Sequence, residues 1–210
     1  MRNDSRESAI DDRVRAMLAD GDVAQAATLV IRSLGPEVFG FLRGALGTDA
    51  DADEVFSTAS ARIWSALVKF RWQSSLRTWV YVIARHELAR FLEGVHRHYA
   101  GRVSPSELDE VVAAVRTETQ SALRSEKRNK LQALRDELPV EDRALLILRV
   151  DRDLSWRDIA RAFLADPESS DDEAMAREAA RLRKRYQLVK RQLTKRAREE
   201  GLLPRGDEER

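Results

Sequence analysis

Apolar residues recur along this chain at spacings of three and four rather than two, so nearly every segment reads as amphipathic helix. Ile10, Val14, Met17 and Leu18 predict a first helix over 9–19, and Asp20-Gly21-Asp22 punctuates it. Val23, Ala26, Ala27 and Val30 continue the period. Gly35-Pro36 then reads as a stop, with Pro36 in the first turn of a third helix carrying Val38, Phe39, Phe41, Leu42 and Leu46. The acids Asp49, Asp51, Asp53 and Glu54 suit a helix N-terminus, where free N–H groups and the dipole favour negative charge. The helix predicted from Asp53 to Val68 buries Val55, Phe56, Ala59, Ile63 and Leu67. Lys69 to Ser75 reads as a loop, and Leu76 to Leu92 as another long helix.

Gly94, Gly101 and Pro105 mark 94–106 as linker sequence. Ser104-Pro105-Ser106-Glu107 supplies a capping Ser, a Pro at the first helical position and a Glu three after the cap. Leu108, Val111, Val112 and Val115 follow at i, i+3, i+4 and i+7, so the linker contains a short amphipathic helix. A second helical block begins near Leu123: one helix through Leu131, Leu134 and Leu138, ended by Pro139, and another from Val140 to Val150. Ser155-Trp156-Arg157-Asp158 is a capping-box pattern opening a helix with Ile159, Ala160, Phe163 and Leu164. An acidic turn and a long helix over 173–200 complete the outline of a helix-turn-helix unit. The predicted fold class is all-α, with a helical domain over 1–95, a linker over 96–125, a second helical domain over 126–202 and a polar tail over 203–210.

Composition narrows the functions open to such a fold. At 210 residues, roughly 150 per domain allows one or two domains, and 43% hydrophobic residues can support their cores. The absence of cysteine excludes a disulfide framework, a thiolate zinc site, an iron–sulfur ligand set and a cysteine nucleophile. The longest apolar run, Trp79 to Ala84, falls far short of the roughly 20 residues of a membrane span. Residues 1–12 lack the apolar core of a secretory signal, so a soluble, cytoplasmic protein without membrane insertion is expected.

A net charge of +1 argues on its face against a polyanion partner, but the distribution reverses that. Between Arg177 and Arg198 there are ten basic residues and one acid, a net +9. Asp166 to Glu173 holds five acids and no base. Such a helix matches the electrostatic footprint of a phosphate backbone. A solvated surface helix, a calmodulin-like helix or a membrane-surface helix would carry the same charge. The narrow apolar stripe of Leu182, Tyr186, Val189 and Leu193 suits docking on a small domain, whereas a membrane helix needs a broader apolar face.

Aromatics are skewed as well. Ten of thirteen lie between Phe39 and Tyr99, and Trp64, Phe70, Trp72, Trp79 and Tyr81 surround the basic, Ser-containing stretch KFRWQSSLRTW. Aromatic faces hold unpaired bases at about 1–3 kcal/mol each. Trp64 and Trp79 fall on apolar helix faces and read as core, while Phe70 and Trp72 are open to either role.

Two blocks, residues 51–92 and 131–164, resemble the sigma-70 family, and within it the extracytoplasmic-function (group IV) sigma factors. In the first, the acidic start Asp53-Glu54, Trp64, Phe70, the run Ser75 to Trp79 and Ile83-Ala84-Arg85-His86 follow the family pattern in order. In the second, the Leu-Pro and Leu-Ser steps before Ile159-Ala160 are similar to the opening of its helix-turn-helix, with 182–193 as the recognition-helix counterpart. The resemblance covers about residues 22–95 and 128–196. It implies a region 2-like bundle and a region 4-like helix-turn-helix, in a promoter-specificity subunit with no catalysis of its own. Its partners would be the clamp and flap of core RNA polymerase and promoter DNA. Factors of this kind are often held inactive by an antagonist, so an anti-sigma factor joins the candidate partners.

Residue by residue, the resemblance assigns polymerase binding to Asp53, Glu54, Ser57, Thr58, Ala61 and Trp64. It assigns the melted −10 strand to Phe70, Arg71, Trp72, Ser74, Ser75, Arg77, Trp79, Arg85 and His86. Ser155, Arg157, Arg177, Arg181, Arg183, Lys184 and Arg185 are the candidates for the −35 duplex, where Arg and Lys serve guanine edges and phosphates alike. Some positions depart from the pattern: Ser57-Thr58-Ala59-Ser60 replaces a usual Gln-Glu-x-Phe, His86 a frequent Asn, Arg90 and Glu93 reverse a usual acid-then-base pair, and 165–172 lengthens the turn.

Other chemistry is weakly represented. His96 and His98 read as a surface pair, and Asp51 with Asp53 as helix capping, so no metal is expected. No Gly-rich phosphate loop or nucleophile motif occurs, so neither an enzyme, a cofactor nor a small-molecule substrate is expected. The competing reading is a helical adaptor or regulator whose basic helix binds an acidic protein partner, or DNA without polymerase.

Overall fold

The structure, a computed structural model, describes residues 2–94, 108–116, 130–167 and 170–203, with backbone only for 2–7 and 130–132. The predicted cap at Ser104 to Glu107 and the pair His96 and His98 lie outside the described residues. Among the described residues the fold is all-α, with no strand. The chain divides into two compact units, 1–125 and 126–210.

The first unit is built from α1 (Arg2–Ala19), α2 (Val23–Leu46), α3 (Asp49–Ala66), α4 (Leu76–Leu92) and α5, a helix over 108–116. α2 corrects the sequence reading, because it runs unbroken through Gly35-Pro36, where a stop was expected. Proline removes one backbone donor and strains the preceding turn. Here Leu34, Gly35, Val38 and Phe39 are all buried on one face, and that packing outweighs the local break. The chain leaves α2 at Gly47, whose φ of 84° is left-handed and whose N–H bonds Arg43 O at 2.8 Å. Thr48 then caps α3, accepting from Asp51 N–H at 3.2 Å while its hydroxyl donates to the Asp51 carboxylate at 2.6 Å. α3 therefore starts four residues before Asp53.

The core of this unit is aromatic as well as aliphatic. Phe39 meets Phe56 edge-on at 5.5 Å, and Phe41 meets Tyr81 at 5.8 Å. Such pairs add about 0.5–1.5 kcal/mol beyond the area they bury. Charged groups cross-link the same helices. Glu37 of α2 accepts from Arg77 Nε at 3.1 Å and from the Tyr81 hydroxyl at 3.2 Å, both on α4. The buried Glu87 of α4 pairs with Arg62 of α3 and with Arg90 at 2.6 Å.

The second unit comprises α6 (Lys130–Asp136), α7 (Val140–Leu146), α8 (Trp156–Phe163) and α9 (Asp172–Glu199). A π-helical turn, Ile147–Asp151, extends α7. Asp153, at φ 51°, reverses the chain so that Leu154 N–H reaches Leu148 O at 3.0 Å. Ser155 caps α8 as predicted, accepting from Asp158 N–H at 3.1 Å. Leu138, Leu146 and Val189 form the centre of this core, with Tyr186 and Leu193 packed against it. On α9 Leu182 and Val189 of the predicted stripe are buried and Tyr186 and Leu193 half-buried, and Met175, Ala179 and Ala197 lengthen the stripe at both ends.

Candidate nucleic-acid interface

In the first unit, the aromatic and basic side chains converge on the loop between α3 and α4. A 3-10 turn, Leu67–Lys69, leads into it, with Phe70 N–H bonding Leu67 O at 3.0 Å. Ser75 ends the loop by capping α4, accepting from Thr78 N–H at 3.1 Å. Between these anchors Phe70 lies 4.8 Å from Trp72 and 4.9 Å from Trp79, ring centre to ring centre. The three rings form one half-buried cluster, tilted against one another by 50° and 33°. Trp72 has a φ of 59°, a left-handed conformation costly for a bulky residue. The cluster, together with the Arg15 guanidinium of α1 at 4.2 Å over the Trp72 ring, offsets that cost. Lys69 and Arg71 point to solvent at its edge. Ser74 donates to Ser75 O at 3.3 Å.

The remaining expected −10 residues divide by position. His86 is half-buried. Arg77 and Arg85 are buried inside the bundle. Arg77 is bound to Glu37 at 3.0 Å and faces the Tyr81 ring at 5.5 Å, so its guanidinium joins α2 to α4. Trp64 and Trp79, read from their helix faces as core, are only half-buried; Trp79 spends one face on Phe70. Helical spacing identifies which face a residue shares but not how a neighbouring loop covers that face.

The expected polymerase-binding residues lie along α3. Thr58 is buried, and its hydroxyl donates to Glu54 O at 3.1 Å. Ser57 donates to Asp53 O at 2.9 Å. Asp53, Glu54, Ser57, Ala61 and Trp64 are half-buried. Asp53 and Ser57 also take part in a contact absent from the sequence reading, with Arg116 of α5.

In the second unit the basic residues stand clear of the stripe that docks α9. Arg177, Arg181, Arg183, Lys184, Arg185, Lys190, Arg191, Lys195 and Arg198 are exposed. Several carry an intramolecular counter-ion. Arg177 pairs with Glu173 at 3.1 Å, Arg181 with Glu178 at 2.6 Å, and Arg157 with Asp172 at 2.8 Å. The hydrogen bonds that Arg181 donates to Glu178 raise it above the ordinary guanidinium range. Arg149 and Arg183 lie over the Trp156 ring at 5.4 and 5.7 Å, and Trp156 meets Tyr186 edge-on at 5.5 Å. Lys184 has no such tie among the described residues at its place on the exposed face. Surface ion pairs of this kind are worth about 0–1 kcal/mol, so phosphate oxygens can compete for these cations at little cost.

Sequence reasoning overlooked Arg15, Glu37, Arg116 and Asp142, each of which orders part of these surfaces through a partner remote in the sequence. Three of them share a signal, a charge placed directly beside a buried apolar residue: Arg15 follows Val14, Glu37 precedes Val38 and Arg116 follows Val115, whereas Asp142 stands between Glu141 and Arg143 and has none. Among the described residues, no group of three or more acidic or histidine side chains is placed to hold a metal ion. No helix among them is long and apolar enough to cross a membrane.

No curated protein matches the chain. Residues 30–98, from the middle of α2 through the aromatic loop and α4, match the family model described as Sigma-70 region 2. The likeness to sigma-70 region 2 thus covers the part of the first unit that holds the aromatic loop, and it ends before the second unit begins.

Proposed function

We propose that this protein is an alternative sigma factor of the extracytoplasmic-function type, which directs core RNA polymerase to its promoters. The region 2 match supports a role in promoter recognition by RNA polymerase. The observation that carries the finer reading is the cluster of Trp72, Phe70 and Trp79, edged by Lys69 and Arg71, within the matched residues. An unpaired base is held by an aromatic face with a cation nearby, and this loop offers both.

In this reading the loop from Phe70 to Ser75, with Trp79 and His86, holds the melted −10 strand. Arg77 and Arg85 shape the bundle behind it. The half-buried face of α3, from Asp53 to Trp64, meets the polymerase clamp. The second unit acts as a helix-turn-helix whose α9 lies against the −35 duplex, with Ser155, Arg157, Arg177, Arg181, Arg183 and Lys184 at bases and phosphates, and meets the flap. Arg185 contributes mainly by fixing α9. An anti-sigma factor would act by covering either surface.

Reconstitution tests this directly. The purified chain is mixed with core RNA polymerase and a library of promoter templates, and run-off transcripts are sequenced. Transcripts sharing a −35 and a −10 element are the expected result. A complex that forms without any promoter-dependent transcript would instead favour the adaptor reading.

A further inference from the structure

Helix α5 is not a loose connection but is seated on the first unit. Its four apolar side chains, Leu108, Val111, Val112 and Val115, are buried. Val115 fills the notch left by Gly35 on α2: a β-carbon added there would lie 3.1 Å from Val115 Cγ1 and 3.3 Å from Phe56 Cζ. Beside it, Arg116 bonds the Asp53 carbonyl at 2.8 Å, pairs with the Asp53 carboxylate at 3.3 Å and contacts the Ser57 hydroxyl. The small side chain of Ser57 lets the guanidinium pass to the backbone behind it.

Two features make this seat reversible. A helix of nine residues is marginal by itself, so α5 depends on the groove that it fills. The seat itself is four apolar side chains and one ion pair, a contact small enough to be exchanged for a larger one. Its Arg116 also occupies two of the α3 residues, Asp53 and Ser57, through which the proposed function brings the chain to polymerase.

We propose that α5 is a resident plug on the α2–α3 face, which core RNA polymerase displaces when it binds. The inference rests on the polymerase-binding reading of α3. The free chain then exists mostly in a form that cannot bind, and its apparent affinity is lowered by the fraction so closed.

The absence of native cysteine makes a reversible lock available. In the double variant Gly35→Cys with Val115→Cys the two side chains face each other, since a β-carbon at 35 lies 3.1 and 3.3 Å from the Val115 γ-carbons, and oxidation is used to join them. Binding to core polymerase is measured with this variant oxidised and then reduced, and with Val115→Asp, which unseats α5 without altering α2 or α3. Hydrogen exchange over 108–116 reports the seat in each case. The plug predicts that oxidation weakens binding at least about tenfold relative to the same protein reduced. It also predicts that Val115→Asp binds about threefold or more tighter than the wild type, and that 108–116 loses protection in the complex. Equal binding by oxidised and reduced protein, with 108–116 still protected on polymerase, overturns the plug alone. Failure of the wild type, the reduced variant and Val115→Asp all to bind polymerase overturns the reading of α3, and the plug with it.

Discussion

Arg185 grips Asp142 with both arms, Nε to Oδ1 at 2.6 Å and Nη2 to Oδ2 at 3.0 Å, and so pins the basic helix α9 to the first turn of α7. The Asp142 side chain is only 10% exposed while that of Arg185 is 47% exposed, so the two partners are not equivalent. The hydrogen bond that Arg185 donates to Asp142 holds its guanidinium above the ordinary range, so the arginine stays charged at any physiological pH. Arg185→Ala leaves a buried carboxylate unsatisfied and should cost about 1–3 kcal/mol, with the α7 helix N-terminus retaining part of the favourable field. Arg185→Lys, which cannot form the fork, should recover only part of that loss. Urea denaturation followed by circular dichroism measures both, and equal stability of all three proteins would show the fork to be dispensable.

Asp11 gives the first unit a titrating group. Burial raises its carboxyl above 3.8, against the Leu76 N–H and the Arg15 charge, which pull it down. A raised acid favours the folded state while protonated, so its contribution is full below the ordinary aspartate range and is lost as pH rises through the raised value. Asp11→Asn keeps an acceptor for Leu76 and removes the charge. It should match the wild type below the ordinary aspartate range and become the more stable of the two once the pH has risen through the raised value. Thermal melts across that range decide it, and parallel curves would remove Asp11 from the balance.

These two tests separate what could be read along the chain from what could not. α4 is legible to the residue, because Ser75 caps it and its apolar positions run on to Leu92. The Ser155 cap and the α9 stripe are equally local, and both were expected where they stand. Pro36 misled because a local break signal takes no account of the buried neighbours on either side of it. The inward turn of Arg77 depends on Glu37, and the cover on Trp72 depends on Arg15; both are partners in another helix. Local signals set element ends, and long-range packing sets which side chains remain free for a ligand.

Trp72 can be tested at the bench. Trp72→Ala removes one ring of the cluster while any side chain with a β-carbon still pays the left-handed φ at this position. It should reduce permanganate reactivity of promoter thymines by roughly tenfold, the worth of one stacked base, with polymerase binding unchanged. Wild-type reactivity in the variant would take the loop off the melted strand.

The exposed cations of α9 make a separate, additive prediction. Neutralising Arg181 and Lys184 to Gln together should lower the slope of log affinity against log salt on −35 duplex by up to about 2, or about 0.9 for each phosphate no longer neutralised. Arg181 is held by Glu178, so Lys184→Gln alone should account for the larger share. A fluorescence anisotropy titration at several salt concentrations measures the slope. An unchanged slope would remove both side chains from the phosphates.

The length of α9 carries its own consequence. At 1.5 Å per residue its 28 residues make a straight rod of about 42 Å, while the duplex curves away within one turn of roughly 34 Å. A groove that takes up the first half of the rod leaves Lys190, Arg191, Lys195 and Arg198 over the flanking backbone. The stretch of DNA shielded by this helix should therefore be longer than the stretch whose sequence it can distinguish.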